Sequence, residues 1–274
     1  MKKKLLIAVT AVLAAFTLAA CGNSSKSSSS SNTVKIGVEG SEEAQVWDNI
    51  IARAKKEGVN IQLVHFNDYN QPNAALKSGQ IDLNAYQHYY FLNTWNKANH
   101  ANLKPIAKTL IAPVRLYGGK GVTKLSDIKK GGQIVIPNDP TNEGRALTLL
   151  QTAGLIKIKN EALPTPNDIT ANPKDLKIVP VDATQTAAQL KSVAGAVVNN
   201  DTATDAKLDP KSAIFVEPIN KDSKQWINVI AANPKNDSNP AFKKIIKIYQ
   251  SQETKNLFKK YYPEELPAWD ADLK

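Results

Sequence analysis

The sequence predicts an α/β protein built from two similar lobes, and three observations carry that reading. Short β-branched or apolar runs alternate with segments of helical periodicity. The alternation begins afresh after Gly118 and Gly119. Each buried run is followed by polar or aromatic residues, the side chains expected where open parallel sheets bind ligands. Strand and helix in turn argue parallel sheets, and the restart argues two of them with the chain crossing between.

The first element lies ahead of both lobes. Lys2, Lys3 and Lys4 precede the apolar stretch LLIAVTAVLAAFTLAA (5–20), the pattern of a secretory signal peptide, too short and wrongly flanked for a membrane span. LAAC follows at once, and small residues before Cys21 resemble a bacterial lipobox, in which that cysteine is lipidated and becomes the mature N-terminus. Residues 21–32 continue as a Ser-rich tract that buries no apolar surface and reads as a flexible tether. The expected location is extracytoplasmic, lipid-anchored on the outer face of the cell membrane.

In the first lobe VKIGV (34–38) reads as a strand. In the helix EEAQVWDNIIARAKKEG, Val46, Ile50, Ile51 and Ala54 recur at helical spacing and Gly58 provides a stop. IQLVHF (61–66) precedes a short helix at 72–79, IDLNAY (81–86) leads into YYFLNTWNKANH, and residues 103–119 run extended. After Gly118 and Gly119 the pattern repeats: KLSDIKKGG as a short capped helix, QIVIP (133–137) as a strand, a helix over 141–154 ending at Gly154, and strands at 176–181, 194–198 and 213–219, before a strand at 227–233 that returns to the first lobe. Two C-terminal helices close the chain. The expected division is residues 33–117 plus 226–274 for one lobe and 118–225 for the other.

Composition narrows the chemistry. Cys21 is the single cysteine, so the folded part holds no disulfide, thiol nucleophile or cysteine metal site. The net charge of +10 comes from lysines spread along the chain without aromatic interleaving, which reads as solvated faces and not as a nucleic-acid surface. No Walker loop, HExxH motif or G-x-S-x-G elbow occurs, and Glu39, Glu42, Glu43, Asp68 and Asp139 read as surface charge before they read as acid and base. Neither an enzyme nor a cofactor or metal is expected.

The blocks FNDYNQPNAALKSGQIDLNAYQH and VIPNDPTNEGRALTLLQTAGLIKI give the chain a specific likeness. From the lipobox to about Tyr262 it resembles the NlpA lipoprotein family, the methionine-binding components of ABC importers. The resemblance implies a type II periplasmic-binding-protein fold with two crossover segments at the hinge, a ligand such as L-methionine held there, and an ABC permease with its ATPase as partners. It also implies site residues. Arg145, with Asn142 beside it, matches the arginine for the ligand carboxylate. Tyr69, Tyr86, His88 and Phe91 match positions around the thioether, and Asn199 and Asn228 match asparagines near the amino-acid head group. The chain departs from the family at Tyr89–Tyr90 and at Asn200–Asp201.

The residues support these assignments without the likeness. Arg145 stands in the first turns of a helix, where the dipole disfavours a cation, so a nearby anion is expected; a solvated arginine is the alternative. His88 could be a base, a metal ligand or a packed ring with a hydrogen bond, and its isolation from His65 and His100 favours the last. Asn199 could instead cap the helix that follows it, and Asn228 sits where a strand disfavours asparagine. Trp47 and Trp226 read as core or rim; in the aromatic run, Tyr90 and Trp95 read as core and Tyr89 is left open. Other solutes, such as a methionine-containing dipeptide or another apolar amino acid, and an envelope adhesin that keeps the fold, stand as the alternative functions.

Overall fold

A computed structural model describes residues 33–41 and 43–273. The signal segment, Cys21 and the Ser-rich tract lie outside the described residues. Among those described, no helix is long and apolar enough to cross a membrane.

The chain runs β1 (Thr33–Glu39), α1 (Ala44–Lys56), β2 (Asn60–Phe66), α2 (Gln71–Ser78), β3 (Leu83–His88), α3 (Tyr89–Ala98), β4 (Lys104–Lys108) and β5 (Leu110–Ile111). It continues as β6 (Arg115–Gly118), β7 (Gln133–Pro137), α4 (Pro140–Thr152), β8 (Lys157–Ile158), β9 (Ile169–Ala171), β10 (Lys177–Val181), β11 (Gly195–Val198), α5 (Asn200–Asp205) and β12 (Ala213–Val216). It ends as β13 (Asn228–Ala232), α6 (Pro240–Tyr249), α7 (Gln252–Tyr261) and β14 (Leu266–Pro267). The segment KLSDIKKGG forms only a single 3₁₀ turn, Leu125–Asp127.

Two five-stranded sheets result, ordered β2-β1-β3-β13-β4 and β10-β7-β11-β6-β12. In the first, β1 runs parallel to β2 and β3, while β13 lies antiparallel to β3 and to β4. The second repeats the pattern: β7 is parallel to β10 and β11, and β6 lies antiparallel to β11 and to β12. In each sheet the fourth strand is therefore the first one the chain makes after crossing over. The crossings occupy residues 109–114 and 217–227.

This corrects the expected boundary. Residues 115–117 are not part of the first lobe, because β6 pairs with β11 and β12. Gly118 and Gly119 mark close packing and not the crossing point: a Cβ on Gly118 would lie 2.0 Å from the Val122 carbonyl oxygen, and one on Gly119 1.8 Å from that of Val193.

Each sheet has its own core. Ile36 and Val38 of β1 pack with Trp47 and Ile50 of α1, Phe242, Ile245 and Tyr249 of α6, and Phe258 of α7. Ile134 and Ile136 of β7 pack with Leu147 and Leu150 of α4 and with Leu116 and Val197. Each such side chain contributes roughly 1.5–3 kcal/mol on burial. Helix ends follow the local chemistry. Arg53, Lys55 and Lys56 fill the last turn of α1, where the dipole favours cations, and Gly58 ends it at φ 77°. Asp139 caps α4 by accepting from the Asn142 N–H at 3.0 Å, with Pro140 pre-set at the first position. These cores hold the C-terminal ends of β1, β3, β7 and β11 toward a common cleft.

Candidate functional site

All eight residues singled out from the sequence, Tyr69, Tyr86, His88, Phe91, Asn142, Arg145, Asn199 and Asn228, line one cleft between the sheets. Gln87, Ala112, Val114, Asn200 and Asp201 line it too. The gathering follows from strand direction, since residues just past parallel strands emerge on one edge of their sheet.

The first lobe contributes rings. Tyr69, Tyr86 and Phe91 meet pairwise at centroid distances of 5.9–6.2 Å, with Phe91 edge-on to both tyrosines. The Tyr86 hydroxyl donates to the Tyr69 carbonyl at 2.9 Å. Ala183 of the second lobe packs on the same cluster. Burial raises the pKa of the Tyr69 and Tyr86 phenols well above the ordinary value, so both present neutral hydroxyls.

His88 ends β3 and caps α3: its Nδ1 accepts from the Phe91 N–H at 3.0 Å. That bond puts the proton on Nε2, which donates to Asn142 Oδ1 across the cleft at 3.3 Å. Burial, helped by the nearby Arg145 cation, lowers the His88 pKa to about 3. A neutral ring with both nitrogens engaged serves as neither base nor metal ligand. Among the described residues, no group of three or more His, Cys, Asp or Glu could hold a metal.

The second lobe contributes polar groups, most of them matched. Asn142 turns its amide nitrogen to Asp139 at 3.0 and 3.1 Å and its oxygen to His88. Arg145, 4% exposed, donates through Nε to Glu217 Oε1 at 2.8 Å and through Nη2 to the other Glu217 oxygen and to the Ala112 carbonyl. The Trp226 ring lies 4.7 Å from the guanidinium carbon and meets His88 edge-on at 4.9 Å. The anion that the helix dipole asks for is therefore first of all Glu217. Nη1 makes no protein hydrogen bond among the described residues and is the guanidinium nitrogen left for a ligand.

Asn199 holds the N-cap position of α5, yet its side chain makes no capping bond. Its Oδ1, in the cleft lining, is buried without a hydrogen-bond partner among the described residues, which a capping role does not explain. Asn228, first in β13, pairs in register with His88, and its carbonyl accepts from the Thr109 N–H at 2.8 Å.

Sequence reasoning missed Glu217 and Asp201 as site residues and read Trp226 only as core or rim. Glu217 and Trp226 lie on the second crossing, where no periodicity points inward; the unsatisfied first-turn Arg145 was the available signal for Glu217. Asp201 sits at one of the departures from the family pattern, and both its oxygens lie within 2.7 Å of the Tyr69 hydroxyl. Tyr90, expected in the core, instead reaches the other lobe, donating to the Ala162 carbonyl at 2.7 Å and packing on Trp226 at 5.7 Å. Trp95 packs with Leu76, Leu92 and their neighbours, and Tyr89 is half-buried against the same cluster.

Comparison with known proteins agrees with this architecture. The substrate-binding protein of a methionine transporter from Streptococcus pneumoniae superposes with a TM-score of 0.83 at 46% identity, over 87% of this chain and 96% of that one. A Burkholderia cenocepacia nutrient-binding protein bound to methionine gives 0.81 at 38%, over 86% and 99%. The D-methionine-binding lipoprotein MetQ of Salmonella typhi is 41% identical over 258 residues, 92% of this chain and 93% of that protein. The family model described as NlpA lipoprotein matches residues 34–269, and the chain belongs to the NlpA lipoprotein family.

Proposed function

We propose that the chain is a lipid-anchored receptor on the outer face of the cell membrane that captures methionine between its lobes and presents it to an ABC permease and its ATPase. It performs no catalysis in this reading. The observation that carries the proposal is the pairing of two unlike walls. A free guanidinium nitrogen of Arg145 and the unpartnered Asn199 oxygen suit a zwitterionic head group, and Tyr69, Tyr86 and Phe91 oppose them as an aromatic lining for an apolar tail. Sulfur beside ring edges gains ~0.3–1.5 kcal/mol per contact, which favours a thioether over a plain aliphatic chain. The solved methionine-bound relative supports the same ligand class.

Capture works by closure. A ligand touching both walls has more contacts when the lobes meet, so it shifts the population toward the closed state. His88–Asn142 and Tyr90–Ala162 are interlobe bonds of that state. The permease then recognises closure. Isothermal calorimetry on the ligand-stripped full chain in detergent tests the reading: L-methionine should bind, with D-methionine, norleucine and a methionine dipeptide as competitors. No heat with L-methionine, alongside clear binding of another solute, would overturn it.

A further inference from the structure

A second interlobe contact adjoins the ligand-lining groups. Glu39, at the end of β1 in the first lobe, and Asp201, in the first turn of α5 in the second, are 7% and 8% exposed. Both line one small chamber between the lobes, where each carboxyl group lies in the other's field. Asp201 also accepts from the Tyr69 hydroxyl and from the Thr202 N–H at 2.8 Å, while Glu39 Oε2 is buried with no hydrogen-bond partner among the described residues. Just outside, the Ser41 N–H and hydroxyl donate to Asp205, so the turn after β1 grips α5 at two levels.

Two carboxylates cannot share so dry a contact while both are ionised, because neither gains hydration to offset the repulsion. One proton between them converts the repulsion into a hydrogen bond. We infer that Glu39 and Asp201 are a positioning pair that clasps the lobes by sharing a proton, fixes Tyr69 at the ligand wall, and makes closure take up one proton from solvent. This rests on the closure mechanism proposed above.

The surroundings favour the protonated pair. Asp205 faces Glu39 from α5, Asp68 and Tyr69 from the segment before α2, and Glu43 and Tyr86 across a small chamber lined by both. The basic groups nearby are weakly placed: Lys191 is exposed on an outer cavity that reaches Glu39, and His65 Nδ1 is bonded to the Gly40 carbonyl. Burial first, then the Asp201 charge, raises the Glu39 pKa from 4.5 to about 10. In an open cleft Glu39 returns to water and ionises, so closure takes up a proton between those values and weakens as pH rises through them.

Calorimetry of L-methionine binding to the full chain in detergent, at one pH near 7.5 in phosphate and in Tris, reads the proton directly through the buffers' different ionisation enthalpies. About one proton is expected to be taken up, with the dissociation constant rising toward about tenfold per pH unit above neutrality. Glu39→Gln, which keeps the shape and carries its own donor, should remove both dependences. Equal enthalpies in the two buffers, or full proton uptake in Glu39→Gln, would overturn the inference while leaving methionine capture intact. If L-methionine gives no heat while norleucine or the methionine dipeptide binds, the capture reading falls and the same two-buffer comparison with that solute decides: proton uptake that disappears in Glu39→Gln supports the clasp, and equal enthalpies overturn it.

Discussion

The two lobes share one strand pattern and present opposite chemistry. In each, three parallel strands are flanked by an antiparallel strand delivered by a crossing. Yet the first lobe brings Tyr69, Tyr86 and Phe91 to the cleft, whereas the second brings Asn142, Arg145, Asn199 and Asp201. The difference teaches that the scaffold sets where a side chain emerges, and its desolvation sets what must surround it. Rings need neighbouring rings, and the two tyrosine hydroxyls an acceptor each. Buried polar groups each need a partner, and these come from three places: Glu217 on the second crossing for Arg145, Asp139 of the second lobe for the Asn142 amide nitrogen, and His88 of the first lobe for the Asn142 oxygen. Asn199 Oδ1 is left over, and an unmatched acceptor in a polar wall marks the place for a donor from outside.

The comparison can be broken most sharply at Arg145. Arg145→Ala should weaken L-methionine binding by ~2–5 kcal/mol in calorimetry, since a buried ligand carboxylate would lose its counter-charge. It should also lower the midpoint of thermal unfolding without ligand, because Glu217 is left nearly buried and unpaired. Asn199→Ala probes the leftover acceptor. A hydrogen bond to a charged group contributes ~1.5–3 kcal/mol, so binding should fall by that amount. The ligand-free stability should barely move, because no capping bond is lost.

His88 joins the two walls, and its effect depends on pH. Its folded pKa of about 3 lies below the unfolded 6.5, so the unfolded chain binds more protons between these values. Stability should be complete above 6.5 and fall as pH drops through the window, with a slope approaching ~1.4 kcal/mol per unit from this group. Urea unfolding from pH 7 to 4 should show a shallower decline in His88→Gln. The smallest effect falls on the aromatic wall. Phe91→Leu keeps an apolar lining and removes one ring edge, so the preference for methionine over norleucine should shrink by ~0.3–1.5 kcal/mol in competition binding.

Much of the site was legible because strand ends are legible. A buried run followed by EGSEE, NDYNQPN, QHYY, NDPTNEGR or NNDT shows where each strand surfaces, and parallel order brings those ends to one edge. The aromatic run from Tyr86 to Trp95 divides within α3: Tyr86 and His88 of β3 and Phe91 of the first turn of α3 reach the cleft, and Trp95 one turn on packs inside the lobe. Tyr90 escaped, since nothing local to α3 distinguishes a core-facing tyrosine from one that spans to Ala162.

The sequence by itself determined the secretory and lipobox pattern, the alternation of strand and helix, the two lobes, and the residues carried to the strand ends. These are local or periodic signals, written within a few turns of chain. Only the tertiary structure decided that Arg145 meets Glu217 and Trp226, that Asp201 holds Tyr69, and that Glu39 faces Asp201 across the cleft. Those pairs join residues tens to more than a hundred positions apart, on crossings and loops without periodicity. Their meeting follows from how two separately built sheets close on each other.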